Sequence, residues 1–367
     1  MESVKVVDGL RREEALLEEI HASVDRSMRL MVACGTQNRV ILKHGIREKL
    51  PENLHLVAGP GCSVCVMPAS HIDAFVKVGM QPNVITAACE DLIGVKGSKE
   101  SLGSIWKKGA RVEVISSPMD ALDIANREPD FTVVYPAVGF EATAPSVAET
   151  ILEAASLGVE NFCVIPSIRL LPPTIDLLML DPELHIQGLL CSDHINTISD
   201  TEAYTSLAEK HNLSCYIAGF ELADILEGIL SLVKQIRDGV SYFDDTSAFI
   251  YSSADNKKAR KMVSEVFFAV DTDWRGLGTI EQSGFVIRDE LALYDATKRF
   301  NVRFKEGHES CMCHCNAIIS GRSLPPDCPA FGMVCTPAAP IGPCMISDEG
   351  ICHSYFKYSF EPDQYAL

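Results

Sequence analysis

Two cysteines three residues apart, in Gly59-Pro60-Gly61-Cys62-Ser63-Val64-Cys65, are the first residues able to do chemistry. Sulfurs at i and i+3 can face one metal ion or close a disulfide within a turn. The glycines let the backbone approach closely at a strand-to-helix turn. If Cys65 lies in the first turn of a helix, the helix dipole favours its thiolate. A second loop, Cys34-Gly35-Thr36, follows another strand-like run. Adjacent parallel strands would bring Cys34 beside Cys62 and Cys65. These three thiols are the candidate catalytic and metal-binding centre.

A second group of thiols lies near the end of the chain. Seven of the fourteen cysteines fall between Cys311 and Cys352. Cys328, Cys335, Cys344 and Cys352 are separated by seven, nine and eight residues in a Pro/Gly-rich segment. Four soft sulfur ligands suit a [4Fe–4S] cluster or zinc. The spacing lacks the paired C-x₂-C of a zinc ribbon, which favours iron–sulfur. The segment offers little else to build a core, so a metal is expected to fold it. Cys163 and Cys215 read as small buried hydrophobes. His44 reads as a surface residue of a helix. His194 follows a strand and has a polar site role open to it.

The background is that of a globular protein: 47% hydrophobic and 22% charged residues over 367 positions. A net charge of −18 is the opposite of a basic nucleic-acid binder. The start, MESVKVVDGLRREEALLEEI, is charged and helical in pattern, without the apolar stretch of a signal peptide. Apolar runs such as VVYPAVGF are too short for a membrane span. A cytoplasmic protein is expected. In that reducing compartment so many cysteines imply metal ligation or thiol chemistry rather than structural disulfides.

The elements that must position these residues alternate. Strand-like runs at 29–33, NLHLVAG, NVITAA and RVEVISS are separated by helix-like stretches, and the rhythm restarts after about residue 128. FTVVYPAVGF, NFCVIPS, HIQGLLC and SCYIAGF are its strands. The fold class expected is α/β: two consecutive parallel-sheet domains, 1–127 and 128–238, then a helical and loop-rich C-terminal domain, 239–367. Ligands gather at the carboxyl ends of such strands. That draws in the loop beginning at Glu90, with Asp91, and the Gly-Phe-Glu loops ending in Glu141 and Glu221. With His194, these are accessory candidates.

At these motifs the chain resembles the HypD family of hydrogenase maturation factors. The resemblance runs through KHGIREKLPENLHLVAGPGCSVCVMP, SPMDALDIANREPDFTVVYPAVGFEATAPS, VDTDWRGLGTIEQSGFVIRDELALYDA and PPDCPAFGMVCTPAAPIGPCMISDEGICHSYFKY. It implies a scaffold that, with a small HypC-like partner, holds iron while cyanide and carbon monoxide are attached. The cyanide would come from a HypE-like protein. The finished Fe(CN)₂CO unit would pass to the large subunit of a [NiFe]-hydrogenase. By the same resemblance Cys34, Cys62 and Cys65 are the iron-binding thiols. Cys328, Cys335 and Cys352, with Cys344 or Cys313, are the [4Fe–4S] ligands. Ser63 stands where the family usually has proline, and Gln37 where histidine is common. The 89–98 loop gains Cys89 and loses an arginine and a proline.

Two other readings compete with this one. A [4Fe–4S] thiol–disulfide oxidoreductase would use the same sulfurs on a partner's disulfide. A zinc-stabilised interaction module would be non-enzymatic.

Overall fold

In the computed structural model, residues 2–192, 201–245, 253–304 and 307–360 are described. Runs of aliphatic residues form the strands: β1 (Met28–Val32), β2 (Leu54–Ala58), β3 (Val84–Ala88), β4 (Arg111–Val114), β5 (Thr132–Phe140) and β6 (Phe162–Arg169). They continue as β7 (Gly188–Ser192), β8 (Ser214–Ala218), β9 (Phe243–Asp245), β10 (Phe267–Trp274) and β11 (Gly278–Ile287). Every residue of β3, β6, β7 and β8 is buried. Strands apolar on both faces need helices on both faces, the mark of parallel α/β sheets.

There are two such sheets. One has the order β2-β1-β7-β8-β9, parallel throughout. The other has the order β10-β11-β6-β5-β3-β4, with a parallel core and the antiparallel pair β10–β11 added at β6. The expected α/β architecture is present, but the sheets are interleaved along the chain rather than consecutive. β1 and β2 lie in a different sheet from β3 and β4, and β1 is joined to β7, with Leu30 paired to Gly188. A side chain at Gly188 would strike Leu30 and press on Ile236, so the seam between distant segments is closed by a missing side chain. β4 and β5, on either side of residue 127, share one sheet. β9, β10 and β11, all beyond residue 239, belong to the two sheets rather than to a separate unit.

Two features ran against expectation. The helix Pro118–Arg127 was not anticipated, although Ser117 and Asp120 form its capping box with proline at its start. The tail is also not coreless. Ile318, Ile319, Phe331, Met345, Ile351 and Tyr355 are buried and pack in one cluster with Val66, Met67 and Phe75. Phe331, Phe356 and Phe360 add ring-on-ring contacts, the latter two stacked at 4.9 Å. Among the described residues no helix is long and apolar enough to cross a membrane.

Candidate functional site: three thiols at two strand ends

β1 and β2 are parallel neighbours, so their carboxyl ends present two loops side by side. The Gly35 N–H donates to the Gly61 carbonyl at 3.1 Å. A Cβ on Gly61 would lie 2.5 Å from the Cys34 nitrogen and 2.6 Å from its Cα. Only glycine lets the loops meet this closely. Cys34 N-caps the helix Gly35–Lys43, and Cys62 N-caps the short helix Ser63–Val66. The Cys65 N–H donates to Cys62 Sγ at 3.3 Å. Cys62 and Cys65 are joined as a disulfide, while Cys34 is free. Of the two chemistries open to the pair, this state is the disulfide.

Cys34 is buried, and burial pushes its thiol pKa up. Hydrogen bonds from the Gln37 N–H, the Ser192 hydroxyl and the Thr36 N–H pull the other way, and the charge of Glu349 adds to the rise. The backbone donors are those of a helix N-terminus, which favours a thiolate once solvent or a cation compensates its charge. Gln37 itself is fully buried. Its Nε2 donates to the carbonyls of Cys191, Ala218 and Gly219 at 3.1, 2.9 and 3.2 Å. It therefore ties the Cys34 loop to the ends of β7 and β8. Asn38 Nδ2 donates to the carbonyls of Val32 and Cys34, both at 3.0 Å.

The tail reaches this site through the segment Cys344–Cys352. Ser347 Oγ lies 3.8 Å from Cys62 Sγ. Thr36 Oγ1 donates to Glu349 Oε1 at 3.0 Å, and the Glu349 backbone lies where a Gly35 side chain would be. Asp91 sits on the same side: burial, then Asp348 and Glu90, raise its pKa, while Arg39 opposes them. Ser347 and Glu349 were not anticipated. Their signal is a lone polar run, Ser347-Asp348-Glu349, between two candidate ligand cysteines.

Cys313, Cys328, Cys335, Cys344 and Cys352 line one small cavity, whose other walls are His314, Gly342 and apolar side chains such as Ile318, Phe331, Ile341 and Met345. The Ile341 N–H donates to Cys335 Sγ at 3.4 Å. Cys344 is raised well above an ordinary thiol by its hydrogen bond with Cys352 and by burial. Cys313 is drawn down by hydrogen bonds from Cys315. Among the described residues no three His, Cys, Asp or Glu side chains converge as a ready metal-binding group. The five sulfurs share walls rather than a point.

A family model for HypD, described as "Hydrogenase formation hypA family", matches residues 11–359. The chain belongs to the HypD family. It is similar to hydrogenase maturation factor HypD of Azotobacter vinelandii, 34% identical over 97% of each chain. HypD of Rhizobium leguminosarum bv. viciae is 35% identical over 91% of this chain and 89% of its own. HypD of Escherichia coli K12 is 32% identical over 97% of this chain and 98% of its own.

The remaining candidates of this HypD-family chain have other surroundings. Glu141 is buried, and its carboxylate accepts from the Leu171 N–H at 3.1 Å and the Tyr204 hydroxyl at 3.3 Å. It holds the start of the helix Leu171–Met179. Glu221 is exposed at the N-cap of Leu222–Asp238 without a side-chain cap bond. His194 lies outside the described residues. His44 is exposed at the C-cap of Gly35–Lys43. Cys89 is exposed, N-caps Glu90–Ile93 and bonds with Tyr135. Cys163 and Cys215 are buried in β6 and β8, and burial pushes each up to about 12.

Proposed function

We propose that this chain is a scaffold for [NiFe]-hydrogenase maturation, working in the cytoplasm. Iron is the cargo. Cys34, Cys62 and Cys65 hold it while cyanide and carbon monoxide are attached, with a HypC-like partner sharing the task and a HypE-like protein delivering cyanide. The completed Fe(CN)₂CO unit then goes to the hydrogenase large subunit. The observation that carries this reading is the Gly61–Cys34 contact in a HypD-family chain, which seats three sulfurs on two abutting strand-end loops. Thiolates suit a low-spin ferrous ion bearing cyanide and carbon monoxide. Two electrons and two protons must first open the Cys62–Cys65 disulfide to two thiols.

The donor set of the tail cavity fits a [4Fe–4S] cluster: five sulfurs, apolar walls and a backbone N–H on Cys335. Cys328, Cys335 and Cys352 would hold it, with Cys344 or Cys313 as the fourth ligand. When bound, it would supply single electrons close to the disulfide. The segment Cys344–Cys352, which touches both centres, supports that pairing. Family membership does not favour the general disulfide reductase as an alternative.

Anaerobic co-purification with a HypC-like partner tests the reading. Infrared bands of iron-bound carbon monoxide and cyanide are expected after maturation. An iron-loaded complex without those bands would overturn it. Zinc in place of iron and sulfide in the purified chain would overturn the cluster and leave the interaction module.

A further inference from the structure

Arg275 stands between the two sulfur centres, in the turn from β10 to β11, with its side chain only 7% exposed. Its backbone N–H donates to the Val66 carbonyl at 2.7 Å, and its Nε donates to the Met67 carbonyl at 2.9 Å. Those carbonyls close the short helix that carries Cys65. On its outer side, Nη1 pairs with Glu309 at 3.2 Å, and the same Glu309 oxygen accepts from the Ala69 N–H at 3.4 Å. Nη2 is buried and has no hydrogen-bond acceptor among the described residues.

The tail packs against the same turn. Arg275 and Glu309 share one pocket wall with Ile341 and Pro343, and Ile341 also lines the five-cysteine cavity beside Cys344. Cys313 and Cys344 line the five-cysteine cavity. The next residue, Gly276, has φ +71 and is pressed so close to Asn316 that a Cβ would lie 2.8 Å from the Asn316 Cα. The turn is thus seated on the Cys313–Asn316 stretch. A buried guanidinium donor left unpaired is costly, and such sites normally satisfy it with an anionic group.

We propose that Arg275 is a positioning residue for both sulfur centres: it fixes the end of the Cys62–Cys65 turn and gives its remaining N–H and its charge to the cluster in the adjoining cavity. The inference rests on the reading of the tail as a cluster site. A cation and an N–H donor stabilise the more negative, reduced state of an iron–sulfur cluster and so raise its potential. The step concerned is uptake of one electron by the cluster from a one-electron donor, in the test the chemical reductant of the titration, with no bond made or broken.

The test uses the full chain, reconstituted anaerobically, with iron and sulfide quantified and the reduced cluster followed by electron paramagnetic resonance during a redox titration. In Arg275→Gln the ratio of reduced to oxidised cluster, read at the wild-type midpoint, is expected to fall about tenfold, about 59 mV for one electron. Arg275→Lys keeps the charge without the planar fork and should recover to about a threefold deficit. Glu309→Gln removes the neutralising carboxylate at a 35% exposed position and should shift the ratio about threefold upward. Wild-type potentials in Arg275→Gln and Glu309→Gln, at wild-type iron content, would overturn the proposal. If Arg275→Gln holds no cluster, Glu309→Gln decides alone: an upward shift supports the role and no shift overturns it. A wild-type chain without iron and sulfide overturns the cluster reading and this inference together, whereas a loaded chain with unmoved potentials overturns only the role of Arg275.

Discussion

Cys34 and Cys62 are held by strand ends and helix caps, most of the tail cysteines by turns. Each of the first pair follows a strand in a parallel ladder and caps a helix, so its backbone is tied by bonds to distant residues. Of the tail sulfurs, Cys352 lies in the first turn of the helix Ile351–Tyr358, while Cys328 and Cys344 ride on the short 3₁₀ turns Pro325–Asp327 and Pro343–Met345, and Cys313 and Cys335 on loops whose backbone bonds mostly close within a few residues. Displacing a strand end breaks bonds made across the sheet; displacing a turn breaks only its own. The first group can therefore change its oxidation state or release a cargo on a standing frame. The second has buried side chains around it but fewer bonds to distant segments, so on the cluster proposal its sulfurs would take their mutual positions from the cluster.

The sharpest way to break this contrast is Cys352→Ser. It should abolish retention of iron and sulfide while far-ultraviolet circular dichroism stays close to wild type, since the strands of both sheets are bonded to one another and none of them carries a cavity cysteine. Collapse of the whole spectrum would show the two regions to be one folding unit. On the sheet side, Gly61→Ala forces a Cβ into Cys34 and should cost about 1–3 kcal/mol in urea unfolding. A variant of wild-type stability would mean that the two loops can part without loss.

Acid should act on the support beneath the thiol pair. His71 is buried, with Ser167 Oγ 2.8 Å from Nδ1 and Arg169 Nη2 donating to Nε2 at 3.1 Å. Burial, then the Arg169 charge, holds its pKa well below the ordinary histidine value. The unfolded chain takes up a proton near pH 6.5, roughly the free value, and the folded chain does not. This contribution to stability is therefore present above that pH and is lost as pH falls through it, by at most about 1.4 kcal/mol per unit. Melting curves from about pH 7.5 to 5.5 should show the slope, and His71→Asn should flatten it. The smallest effect is expected at the bridge between the regions. Thr36→Val removes the bond to Glu349 and should cost about 0.5–1.5 kcal/mol, with faster proteolysis of the tail as its mark.

Much of this frame was legible from local pattern. The strand-like runs ending at Ala33 and in the 54–60 stretch mark β1 and β2, and the thiols follow them directly. Four of the five cysteines that share the cavity were legible from their spacing in a Pro/Gly-rich stretch, and Cys313 came only from the family resemblance. Strand order was not, because a parallel neighbour is chosen by packing across the sheet: nothing near Leu30 names Gly188 as its partner. The β10–β11 pair was also hidden, since only six of its eighteen residues are buried and its alternation is broken by a register shift between Val270 and Thr272. Glu349 and Arg275 escaped for a related reason. Each is a single charged residue whose meaning comes from contacts made hundreds of positions away.

The stretch from Cys344 to Cys352 then has a meaning beyond ligand spacing. Its ends face the cavity, while its middle is pinned at Gly35, Thr36 and Cys62. It works as a ruler. Inserting one residue would leave every cysteine and every acid in place in the composition, yet it would put Ser347 or Glu349 out of step with one sulfur group or the other. The count of residues between Cys344 and Cys352 is as much a part of the site as the side chains.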